Sequence, residues 1–309
     1  MDRRTRLDWG LLASTTLIWS SAYIFTNMAV NKGDLAHGLP PQLVISARLT
    51  IGAIILLAIT PFLKQKWPPL SDWRAWLVMM GMGTAGTMLP FLLISTAQQT
   101  IDAGLAALYV AAEPLFVVIM AHIMFSDDRL NRNKITGIIV GFIGVAVLFG
   151  PDVIKQSGST SISAQFLCVL ATICYATSVI IARYGRAIPP LVFAAGFLSF
   201  GAVASWALLP GIDFAALQPD RRSLLAVVAL GVGPTAIASL IYMVLIQRTS
   251  ASFLSLVGYT IPISSAFLGY LVFSEIPSLN AVLAIILILG GVWYSQSRAP
   301  SPAVSVDAG

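Results

Sequence analysis

Two formally charged side chains stand inside long apolar runs of this 309-residue chain, Arg48 and Glu113. A charge in a low-dielectric interior is costly, so each needs an opposite charge, hydrogen bonds or water. A carboxylate there can hold a proton or a cation, and a guanidinium can hold an anion. Together they can exchange charged solutes or pair with one another. Pro114 follows Glu113, and Pro262 stands in a second apolar run. Each removes one backbone hydrogen bond, to Val110 and to Gly258, and bends its helix where a gate could hinge. The runs also carry aromatic and hydroxyl side chains: Trp19, Tyr23, Phe91, Tyr109, Tyr175, Ser239, Tyr242 and Tyr259. Steps of three and four, as from Trp19 to Tyr23 and from Ser239 to Tyr242, put such groups on one helix face. That is the pattern of a substrate cavity, although hydroxyls also let packed helices approach closely.

The same inventory argues against bond-making chemistry. The chain has 2 cysteines, Cys168 and Cys174, and 2 histidines, His37 and His122, too few for a metal site. Six residues apart on one helix, the cysteines lie about 9 Å apart along its axis, beyond bridging distance, and are read as core residues. His122 falls on the helix face opposite Glu113 and is read as a packed or interfacial histidine. Neither a phosphate-binding glycine loop nor a nucleophile–base set stands out. No enzyme activity, cofactor or nucleic-acid partner is expected.

The elements that must position these residues follow from composition. The chain is 57% apolar and 10% charged, against roughly a quarter charged in soluble domains. Its apolar residues come as continuous runs the length of helical membrane spans, not as short alternating strands. Ten are expected, at residues 7–30, 42–63, 75–96, 103–125, 135–150, 164–182, 191–209, 224–247, 251–273 and 280–297. Lys and Arg accumulate in cytoplasmic loops. With the N-terminus inside, thirteen of the 18 fall on the cytoplasmic side, Lys32, Lys155, Arg221 and Arg222 fall outside, and Arg48 lies within a span. Both termini are thus expected in the cytoplasm and the chain in a bacterial cytoplasmic (inner) membrane. The first run is too long for a cleaved signal peptide and lacks its small-residue site.

Shifting the sequence by 148 positions aligns residues 83–127 with 231–275 without a gap. Thr87 then matches Thr235, Pro114 matches Pro262, and an acidic residue follows Phe-Ser in both copies. Five spans per copy force the second to enter from the opposite side. The expected fold is therefore an all-α polytopic membrane protein of ten transmembrane helices, as two inverted five-helix repeats over 1–150 and 151–309, the second with a short cytoplasmic tail. Binding sites of inverted repeats lie near mid-membrane at the repeat interface. The offset pairs Tyr259 with Ala111, about 200° around the helix from Glu113, so the carboxylate and aromatic faces are not symmetry mates.

Leu17 to Ser21, Arg48, Glu113-Pro114, Tyr259 to Pro262, Gly269 and Phe273-Ser274-Glu275, in this order, resemble the EamA-type branch of the drug/metabolite transporter superfamily. The stretch from Ser126 to Leu130 departs from the Gly-Glu-Arg-Leu usual in that family. The resemblance implies secondary active export of small metabolites such as amino acids by alternating access, often proton-coupled. A passive facilitator or a drug efflux protein for small amphipathic solutes is the alternative. The partners implied are a small-molecule substrate, protons and membrane lipid. The chain is read as a monomer or weak homodimer, with the glycines at 137, 141 and 144 favouring contact within one chain. Glu113 and Arg48 are assigned to coupling or to a charge pair, and Pro114 and Pro262 to gating.

Overall fold

In lipid a backbone must satisfy its own polar groups, which selects helices for apolar segments of this length. The computed structural model describes residues 5–30, 38–125, 130–154, 159–249 and 251–296. Among these the regular structure is helical, apart from one isolated bridge between Val30 and Leu39. In chain order the α-helices are α1 (Arg6–Ala29), α2 (Pro41–Ile59), α3 (Trp73–Gly83), α4 (Leu89–Ala97), α5 (Ala103–Val110), α6 (Glu113–Met124) and α7 (Arg132–Ile154). There follow α8 (Ser159–Tyr184), α9 (Pro190–Trp206), α10 (Arg221–Leu230), α11 (Ala238–Arg248), α12 (Ala251–Phe273) and α13 (Leu279–Gln296).

The apolar runs all fall on helices, the fifth longer than expected. Among the described residues, 6 helical stretches are long and apolar enough to cross a membrane: Pro41–Phe62, Trp73–Ala97, Ala103–Met124, Ile162–Tyr184, Arg221–Tyr242 and Leu256–Phe273. Pro190–Trp206 and Leu279–Ser295 are shorter apolar helices.

The third and eighth runs each widen midway into a π turn, Thr84–Met88 between α3 and α4, and Gly231–Ile237 between α10 and α11. The two turns overlap under the 148-residue shift. In each, a threonine hydroxyl donates to the carbonyl five residues back, Thr87 to Met82 at 2.9 Å and Thr235 to Leu230 at 2.8 Å. Pro234, which has no N–H, lies inside the second turn. Gly83 and Gly231 precede or open the turns and let other helices touch the backbone. A Cβ on Gly83 would strike the Phe197 carbonyl of α9, and one on Gly231 would lie 2.6 Å from Ile51 Cβ of α2.

The fourth run is broken rather than bent. α5 ends at Val110, and α6 begins at Glu113 with Pro114 in its first turn. A proline expected to kink one continuous helix therefore starts a new one, where its missing N–H costs nothing. The Tyr109 carbonyl at the break accepts the Ala112 N–H and the Thr172 hydroxyl of α8, both at 3.2 Å. Pro262, in contrast, stays inside α12.

α7 lies along α13 through glycines: a Cβ on Gly137 would strike the Gly291 carbonyl, and one on Gly144 would lie 2.9 Å from Ile288 Cγ1. The small face of the fifth run is thus used within the chain. Cys168 and Cys174 are free and buried in a core cluster shared by α4, α5, α7, α8 and α13, as expected for core residues. His122 accepts the Leu130 N–H on Nδ1 at 3.2 Å and so serves the turn after α6.

Candidate functional site

Arg48 projects from α2 and is 7% exposed. Its Nε donates to Thr235 Oγ1 at 2.7 Å, and the Thr235 hydroxyl in turn donates to the Leu230 carbonyl. Gly52, one turn along α2, makes room for this threonine, because a Cβ there would lie 2.5 Å from Thr235 Cγ2. The flat guanidinium also covers the ring of Phe91 from α4, 3.7 Å from its centroid. A desolvated cation over an aromatic face is worth about 2 kcal/mol. Phe91 in turn meets Tyr175 of α8 edge-on at 6.4 Å.

Trp19 of α1 reaches the second π turn. The turn leaves the Pro234 carbonyl without its usual helical partner, and Trp19 Nε1 donates to it at 3.1 Å. The indole also tilts against Tyr242 of α11, with centroids 4.9 Å apart. Tyr23 and Tyr175 lie within electrostatic range of both Glu113 and Arg48, and Tyr242 within range of Glu113. Trp19, Tyr23, Phe91, Glu113, Tyr175 and Tyr242 are all half-buried.

Glu113 opens α6, where the helix dipole favours an anion. Among the described residues its carboxylate has no hydrogen bond and no ion pair, and Arg48 is not its partner. The hydroxyls of Tyr23, Tyr175 and Tyr242 are likewise unbonded there. An unpaired carboxylate, a buried guanidinium with its Nη groups unbonded, and three uncommitted phenols can hold a small solute carrying both charges.

The other residues singled out in the sequence make different contacts or lie outside the described residues. Tyr109 is 1% exposed in the core, and its hydroxyl donates to Gln165 Oε1 at 2.7 Å. The Ser239 hydroxyl donates to the Thr235 carbonyl of its own helix at 2.6 Å. The side chain of Tyr259 lies outside the described residues, while Pro262 is buried in α12. Thr235 as the partner of Arg48 was not foreseen. Its sequence signal was the match to Thr87 under the 148-residue shift.

Arg48, Glu113 and this aromatic set thus lie within an all-helical chain that has helices long and apolar enough to cross a membrane. The chain belongs to the EamA-like transporter family, which matches it twice, over residues 9–150 and 162–295. It is 24% identical over 287 residues to the uncharacterized transporter YdfC of Bacillus subtilis, covering 91% of this chain and 88% of that protein. It is 26% identical over 292 residues to the aromatic amino acid exporter YddG of Ancylobacter novellus, covering 90% of this chain and 96% of that protein. A solved crystal structure shares the fold with a TM-score of 0.65 at 21% identity, covering 95% of this chain and 98% of that one.

Proposed function

We propose that the protein is a secondary active transporter that exports small metabolites, amino acids foremost, across the bacterial inner membrane. In this reading ten transmembrane helices form two inverted five-helix repeats, both termini are cytoplasmic, and the site alternates between the two faces. The observation that carries it is the Glu113 carboxylate, unpaired at a helix break among Tyr23, Tyr175 and Tyr242. Broken helices whose ends face a mid-membrane site are how transporters meet polar solutes without exposing backbone to lipid. The matching π turns and the double family match support the repeat. The name of the Ancylobacter relative supports amino acids.

The ammonium of an amino acid binds Glu113, its carboxylate meets the Arg48 guanidinium, and its side chain lies against the rings of Trp19, Tyr242 and Phe91. A proton competes with the ammonium for Glu113, so outward release of solute is exchanged for inward proton entry. The test is counterflow of labelled amino acids into liposomes holding the purified protein, with and without a pH gradient. Counterflow together with gradient-driven accumulation is expected. Counterflow that ignores the gradient would make the protein a facilitator, and absence of both for all amino acids would overturn the substrate class.

A further inference from the structure

The chain leaves α12 through Ser274 in the left-handed region, φ 58°, with its N–H donating to the Tyr270 carbonyl at 2.9 Å. A non-glycine residue there costs about 1 kcal/mol. The turn folds the next residue, Glu275, back over Gly269 and onto the start of α5. The Glu275 carboxylate accepts the Ala103 N–H on Oε1 at 3.4 Å and the Gly104 N–H on Oε2 at 3.2 Å. Two glycines make room for it. A Cβ on Gly269 would lie 2.5 Å from Oε2, and one on Gly104 would lie 3.4 Å from Oε2 and 3.6 Å from Ala266 Cα.

The first N–H groups of a helix have no partner within it and take a side chain from just before the helix, most often Asp, Asn, Ser or Thr at the N-cap. α5 has such a residue, Asp102, in the extended conformation a cap requires, yet its side chain makes no capping bond. It is exposed. The work of a local cap is done instead by Glu275, 172 positions away in sequence. The two carboxylates offer alternative acceptors for one helix end. α12 packs along α5 at this end, whereas α6, the continuation beyond the break, packs mainly on α8.

We propose that Glu275 is the latch of a gate between α5 and α12, and that Asp102 is the replacement cap that takes over the α5 N-terminus when the latch releases. This rests on the reading of transport by alternating access. Opening the gate unaided would strip two backbone N–H groups of an acceptor and leave a helix dipole uncompensated. With Asp102 in reserve, the helix end stays capped in both positions, so the two states lie close in free energy. Loss of either carboxylate tips the balance in an opposite direction, by about the fivefold population change that corresponds to one N-cap.

Spin labels on Thr100→Cys and Ser278→Cys, flanking the contact, report the gap by pulsed electron–electron distance measurement on the purified protein without substrate. Hydrogen exchange at Ala103, the first amide of α5, reports the latch, because an N-cap side chain reaches only the second and third amides. The parent should show mainly the short distance. Glu275→Ala, and more mildly Glu275→Gln and Gly269→Ala, should raise the long-distance population about fivefold and speed exchange at Ala103, whose N–H the Asp102 side chain does not reach. Asp102→Ala should lower the long-distance population and slow turnover, leaving exchange in the closed state unchanged. Distances and exchange that Glu275→Ala leaves as in the parent would overturn the latch. A long-distance population that Asp102→Ala leaves unchanged would overturn the cap exchange. Because both readouts need no substrate, shifted distances in a protein that transports nothing would sink the transport reading and leave the latch standing.

Discussion

Arg48 is bonded to Thr235, 2.7 Å away and 187 positions distant in sequence, and not to Glu113. The two charges of the interior are therefore not a pair: the guanidinium is held by a hydroxyl and an aromatic face, while the carboxylate stands at the start of α6 with no partner among the described residues. Stability losses from Arg48→Gln and Glu113→Gln should add to within about 0.5 kcal/mol in a double-mutant cycle on detergent-solubilised protein. The cycle Arg48→Gln with Thr235→Val should instead show coupling of about 1–2 kcal/mol. A double Arg48–Glu113 variant more stable than either single one would mean that the two pair after all.

At the helix break of residues 111–112 the Tyr109 carbonyl shares the Thr172 hydroxyl, 3.2 Å away, with the Cys168 carbonyl of the threonine's own helix, 2.7 Å away. Thr172→Val keeps the volume and removes that donor, which should cost about 1–2 kcal/mol of stability. Thr172→Ser should restore most of it. Thermal unfolding of the two variants beside the parent checks this, and equal losses in both would assign the effect to packing of the methyl group.

Much of the scaffold was legible because lipid leaves few choices: apolar runs, glycine faces and buried cysteines each had one economical use. The α7–α13 seam follows from the glycines of residues 137, 141 and 144, whose spacing puts them on one face. The site was legible by type but not by contact. Arg48, Glu113, Phe91, Tyr175, Trp19 and Tyr242 do gather, yet nothing local to Arg48 points to a threonine on α10–α11. Tyr109 carries the same signal as Tyr175, an aromatic in mid-run, and ends in the core because Gln165 and Thr172 hold it there. The π turns were invisible because residues such as Thr84–Met88 fit α-helix equally well, and only packing against α8 and α9 selects the wider turn.

Pro114 and Pro262 match under the 148-residue shift but occupy different settings, one at the start of α6 and one inside α12. Pro114→Ala gives the break a backbone N–H that can bond to Val110, joining α5 to α6 and turning Glu113. Pro262→Ala restores a backbone bond within α12 and leaves the site residues where they are. Both should lower turnover, on the order of tenfold or ~1.4 kcal/mol, but Pro114→Ala should also raise KM, whereas Pro262→Ala should leave it within about twofold. Initial rates over a range of substrate concentrations separate the two, and an unchanged turnover in both would reduce the prolines to packing.

The proposed orientation places the basic residues Lys32, Lys155 and Arg222 outside. Single cysteines at positions 36, 156 and 220 should react in whole cells with a thiol reagent that does not cross membranes, while native Cys168 and Cys174 are buried. Protection of any two of the three positions would reverse or break the ten-helix topology.

In the proposed reading Glu113 is the residue that couples transport to protons. Its carboxylate stands where charge is expensive, lacks a fixed partner, and lies within electrostatic range of three tyrosines whose hydroxyls are also uncommitted. A site of this kind is completed by whichever cation arrives, solute ammonium or proton. Glu113→Gln keeps the shape and the capacity to hydrogen-bond but cannot exchange a charge. The variant should fold, insert and still catalyse counterflow of labelled amino acid at a reduced rate, yet accumulate none above equilibrium when a pH gradient is imposed. Glu113→Asp, which keeps the charge on a shorter stem, should retain part of the accumulation. Gradient-driven uptake by reconstituted Glu113→Gln at the parent level would remove this residue from coupling, and loss of counterflow together with accumulation would make it a binding group only.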